Sequence, residues 1–150
     1  MRDVSISAST DTRKAELVTP ILTYTDLEDL QEIVRQLRHK GAISNPEHGC
    51  GLHLHIGAQG QTPQSLRNLA NLMAAHENLL SEALNIDSYR QHRFCRTVNP
   101  EFLKQLNEKK PTTMSELADI WYSTQGCGYG RSQHYNPSRY RMLYAEQVIM

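Results

Sequence analysis

The chain has 150 residues, enough for one domain with a buried core, although 39% hydrophobic and only 7% aromatic content is a lean supply for one. Its 16 Lys and Arg balance 16 Asp and Glu, so no overall field draws it to nucleic acid or to an anionic membrane. Cys50, Cys95 and Cys127 are too few and too scattered for a disulfide framework, residues 1–12 hold no apolar signal core, and no apolar run is long enough to span a bilayer. These features together predict a soluble, cytoplasmic protein.

In chain order, Val4 and Ile6 alternate with Ser5 and Ser7 as a short strand would, and residues 15–20 (AELVTP) predict a second strand stopped by Pro20. A helix follows, with Thr25 and Glu28 as its capping box, Leu27, Leu30, Ile33, Val34 and Leu37 as its apolar stripe, and Gly41 as its end. Residues 51–57 (GLHLHIG) alternate as a third strand. Thr62 and Pro63 start a long helix to about residue 84, marked by Leu66, Leu69, Ala70, Met73, Leu80 and Leu84. Asn99 and Pro100 open a shorter one with Phe102, Leu103 and Leu106 on its face, and Thr113 with Glu116 caps another before Leu117, Ile120 and Trp121. A glycine-rich loop spans 125–137 and a last strand 139–143, so the whole reads as an α+β fold in a single domain.

The third strand is the richest in chemistry. Leu52, Leu54 and Ile56 would pack beneath helices, leaving His53 and His55 together on the opposite face, where imidazoles suit metal ligation, phosphate contact or proton transfer. On that reading Leu54→Asp costs several kcal/mol, through an unpaired buried charge. The plainer alternative is two half-buried histidines bonded to neighbours. His48, Cys50, His53 and His55 crowd into eight residues and could form a small zinc-binding module, although the second ligand pair usual for zinc is missing.

Glu16 is the one charged residue of its strand, either a ligand for a hard cation or a solvated edge residue. Arg90, Arg93 and Arg96 recur every three residues and could clamp an anion, but spacing alone favours a solvated face. Arg139 and Arg141 alternate with Tyr140 and Met142 on the last strand, placing two cations on one face. Residues 1–85 carry seven basic and ten acidic side chains against nine and six in 86–150, an excess owed largely to Arg90, Arg93 and Arg96.

Five segments together, residues 2–6 (RDVSI), 15–22 (AELVTPIL), 51–57, the arginines of 90–96 and residues 138–143 (SRYRML), resemble the amidoligase family, relatives of glutamine synthetase and glutamate–cysteine ligase. The likeness runs over about 2–143, with 144–150 a divergent tail. It implies a glutamine-synthetase-like antiparallel sheet with helices packed on one face, and an ATP-dependent carboxylate–amine ligase. Its cofactors would be ATP and magnesium. Its substrates would be a small-molecule or peptide carboxylate and an amine or ammonia. By the same likeness Glu16 and His53 belong to the metal site, lying close together. His53, Arg139 and Arg141 attend the nucleotide, and His55, Arg139 and Arg141 act in catalysis.

The resemblance also shows departures. Val4 stands where the family has glycine, no Gly-x-Glu-x-Glu segment precedes Arg2, and residues 144–150 (YAEQVIM) match nothing. The expectation is therefore an incomplete sheet and, for this chain alone, little or no ligase activity.

Overall fold

The computed structural model describes residues 7–10, 13–124 and 140–143. The expected first strand, the glycine-rich loop, Cys127 and Arg139 lie outside them. The chain divides into two compact units, residues 1–55 and 56–150.

In the first unit the principal element is α1 (Leu27–His39). The chain enters it through a 3-10 turn (Tyr24–Asp26), where the backbone N–H of Thr23 donates to the Asp26 carboxylate at 2.6 Å. The capping pair is thus Thr23 and Asp26, two residues earlier than the Thr25–Glu28 box that the sequence suggests. The other end is as expected. Ala42 N–H donates to the Leu37 carbonyl and Gly41 N–H to that of Arg38, with Gly41 at φ +88°, so the left-handed residue falls on glycine. The stripe is present on α1, yet none of its residues is buried.

The second unit is built from α2 (Pro63–Ala83), α3 (Ser88–Arg93), α4 (Pro100–Lys109) and α5 (Met114–Thr124). Thr62 caps α2 by accepting from Ser65 N–H at 3.1 Å, and Pro63 costs nothing where an amide would be unpaired anyway. Asn99 caps α4 by accepting from Glu101 N–H, while its amide donates to the Thr124 carbonyl at 2.6 Å. The start of α4 therefore lies at the end of α5, and these two helices run antiparallel. Helix α2 also runs antiparallel to α4, since Asn71 and Asn107 exchange amide hydrogen bonds at 3.0 and 2.8 Å while Glu77 meets Val98.

Between the three helices lies the core: Leu66 and Ala70 from α2, Val98, Phe102 and Leu106, then Leu117, Ala118, Ile120 and Trp121 from α5. Leu143 packs against it. Two left-handed residues end helices here, Asn85 (φ +48°) after α2 and Lys110 (φ +46°) after α4.

The expected sheet is not there. Among the described residues the fold is helical, with one isolated parallel bridge, Arg96 to Arg141, as its strand-like pairing. Residues 14–20 and 51–58 have no regular structure, and the last strand shrinks to that bridge. The expected packing fails with the sheet: Leu52, Leu54 and Ile56 are 80%, 82% and 87% exposed. The physical reason is that alternation only sorts a strand's side chains between two faces. Its backbone N–H and C=O groups still need a neighbouring strand, and these segments have none among the described residues.

Candidate functional site

Of the residues singled out in the first unit, Glu16, His53 and His55 are exposed on irregular chain, and His48 and Cys50 are partly buried in the turn after residue 45. His48 N–H donates to the Asn45 side chain at 3.1 Å, which fixes that turn. Among the described residues no group of three or more His, Cys, Asp or Glu side chains is gathered closely enough to hold a metal ion. Neither the four-residue zinc set nor a cluster of Glu16 with the two histidines is therefore assembled. Magnesium asks less of the protein, since one or two carboxylates with substrate phosphates and water hold it, and Glu16 is the carboxylate that the resemblance offers.

The second unit does bring several singled-out residues together. The backbone N–H of Arg96 donates to the Tyr140 carbonyl at 3.2 Å, and that of Met142 to the Arg96 carbonyl at 2.9 Å. This pairing docks residues 140–143 onto the segment between α3 and α4. The Arg141 guanidinium donates to the Thr97 carbonyl, and that of Arg96 to the Tyr140 carbonyl at 3.3 Å.

Beside this junction the rings of Phe94 and Tyr140 meet edge to face, with centroids 5.7 Å apart. The guanidiniums of Arg90 and Arg93 each lie 5.3 Å from the centre of Phe94, and that of Arg93 lies 5.6 Å from the centre of Tyr89. The threefold arginine spacing has a simple origin. Asp87 caps α3 by accepting from Arg90 N–H at 3.1 Å, one helical turn sets Arg90 and Arg93 beside each other, and Arg96 follows just beyond the helix. Rather than forming a merely solvated face, Arg90 and Arg93 stack on an aromatic patch, an arrangement worth about 0.5–1 kcal/mol per exposed contact.

Beneath the junction sits a residue that the sequence reading missed. Glu77 of α2 is only 6% exposed and accepts the Val98 N–H at 2.8 Å. Burial raises its carboxyl above the usual range, while the Val98 hydrogen bond and the Arg141 charge pull it partly back. A signal was available. Glu77 occupies the slot four residues after Met73 in the buried stripe of α2, where the pattern calls for an apolar side chain. Further along α2, Asn78, Ser81, Glu82 and Asn85 join Ile86 and Gln91 around an open polar groove.

Arg96 and Arg141 are thus paired through their backbones at this junction, and guanidinium forks match both carboxylate and phosphate. The family model described as "Putative amidoligase enzyme" matches residues 2–150, and the chain belongs to that amidoligase family. No curated protein and no solved structure matches it. No helix among the described residues is long and apolar enough to cross a membrane.

Proposed function

We propose that this chain takes part in ATP-dependent carboxylate–amine ligation, and that the Arg96–Arg141 junction is where the anionic groups of that reaction are met. Family membership over residues 2–150 supports ligase chemistry in general. The observation that carries the finer reading is Arg141 itself. The late arginine that the resemblance links to phosphate or substrate carboxylate is held next to Arg96, beside the arginine–aromatic patch of Arg90 and Arg93.

When bound, ATP would supply the phosphoryl group that activates the carboxylate for displacement by an amine. The part of this chain's own residues is electrostatic. Guanidiniums offset charge on a transferring phosphoryl group or hold a carboxylate in place, and they stay cationic at any physiological pH. Arg139 lies two residues before Arg141 and joins it in this role. Glu16 and His53 would help to hold the magnesium that accompanies ATP, together with the nucleotide phosphates and water, and His55 would serve proton transfer.

The test is ATP turnover by the full chain with a panel of amino acids, short peptides and ammonia at saturating magnesium, alongside ATP affinity by calorimetry. Amide-forming turnover lost in Arg141→Ala supports the reading. ATP binding that is equal in the parent protein and Arg141→Ala, with no turnover for any pair, refutes it.

A further inference from the structure

Glu77 is a costly residue to keep where it is. A carboxylate in the buried stripe of α2, one turn beyond Leu66, Ala70 and Met73 and one before Ser81, loses its hydration, and a well-packed apolar side chain of similar size would avoid that loss. What Glu77 reaches from there is specific. Its Oε2 accepts the Val98 N–H at 2.8 Å. Arg141 donates to the carbonyl of Thr97, the residue preceding Val98, and its neighbour Met142 donates to Arg96. One carboxylate on a 21-residue helix thus holds the segment 96–98 onto which Arg141 and Met142 dock through the one bridge among the described residues.

We infer that Glu77 is a positioning residue: from α2 it fixes the Arg96–Arg141 junction, and so sets the Arg141 guanidinium for its anion. The value of Arg141 for that anion rests on the function proposed above; the fixing of the junction does not. A guanidinium whose carbonyl partner is already set loses less freedom on meeting a ligand than one on a loose segment.

Two measurements on the full chain separate these points. Glu77→Gln keeps the shape but replaces the charged acceptor of the Val98 N–H with a weaker neutral one. The first measurement is amide hydrogen exchange. Met142 should exchange about tenfold faster in Glu77→Gln, with Ala118 in the α5 core unchanged. If Met142 is unaffected, or if Ala118 speeds up equally, Glu77 does not position the junction.

The second is a double-mutant cycle on ATP affinity with Arg141→Ala. Glu77→Gln should weaken binding several-fold in the parent and have little effect once Arg141 is gone. Equal losses in both backgrounds, or tighter binding in Glu77→Gln, overturn the proposal. If Arg141→Ala leaves ATP affinity untouched, the proposed anion role of Arg141 fails, and the exchange result alone decides whether Glu77 positions the junction. Glu77→Asp, which restores the charge on a shorter arm, should recover part of the Met142 protection.

Discussion

Phe102 and Trp121 meet edge to face in the seam between α4 and α5, with ring centroids 5.0 Å apart and planes at 83°. Both rings are buried, and around them stand Leu66, Ala70 and Leu117, so the pair links all three core helices. Because aromatic side chains are scarce in this chain, this contact carries an unusual share of its packing. Phe102→Ala should destabilise the second unit by about 3–5 kcal/mol, and Phe102→Leu by less, since leucine fills much of the volume but loses the ring contact. Urea denaturation followed by tryptophan fluorescence measures both.

Leu54→Asp is expected to change stability by no more than about 0.5 kcal/mol, the ordinary range for a substitution at a solvated surface position. Leu54 is 82% exposed on irregular chain, so an aspartate there keeps its water. Thermal unfolding of the variant decides the matter, and a loss of several kcal/mol would restore the buried-strand reading of residues 51–57.

Lys110→Gly should stabilise the protein by about 1 kcal/mol. Lys110 ends α4 at φ +46°, where a Cβ is crowded against the carbonyl and glycine has no such penalty. Chemical denaturation at neutral pH is the measurement, and an unchanged or lower midpoint counts against the left-handed turn.

Two carboxylates should bend the pH dependence of stability in opposite senses. Burial raises Glu77, so the folded chain keeps a proton that the unfolded chain has already released. Its contribution is greatest at low pH and declines as pH rises from the ordinary carboxylate range through its raised value. Glu116 is lowered because the backbone N–H groups of Thr112 and Thr113 donate to its carboxylate at 2.8 and 3.2 Å. Its contribution is present above the ordinary range and lost as pH falls through its lowered value. Stability curves against pH should therefore lose their declining limb in Glu77→Gln and part of their acid-side loss in Glu116→Gln.

The helices were legible because their signals are local. Thr62-Pro63, Asn99-Pro100 and the Thr113–Glu116 box mark the starts of α2, α4 and α5 through side chains that reach only three residues along. At α1 the run of residues 23–28 contains two overlapping boxes, Thr23 with Asp26 and Thr25 with Glu28, and spacing cannot choose between them; the 3-10 turn in the structure selects the first. Helix α3 passed unnoticed because its six residues are too few for a stripe, although Asp87 gave the capping signal.

The strands were misread for a different reason. A period of two describes residues 51–57 correctly, but it cannot report whether another segment supplies the backbone partners. The candidate site was half legible in the same way. Arg141 stands out through the family resemblance, whereas Glu77 interrupts a stripe whose apolar members alone define the helix. A charged interloper in such a stripe is the more telling signal, since burial makes it costly.

Trp121 is the sole tryptophan of the chain, and it is buried in α5 with its indole Nε1 lacking a hydrogen-bond partner among the described residues. Excited where the seven tyrosines do not absorb, the molecule therefore offers one fluorophore, seated in the second unit. Emission would report the melting of the α2–α4–α5 core, while far-ultraviolet circular dichroism would register α1 as well. Coincident transitions by the two signals would mean that both units unfold as one cooperative block, and a dichroic change preceding the fluorescent one would give α1 a stability of its own.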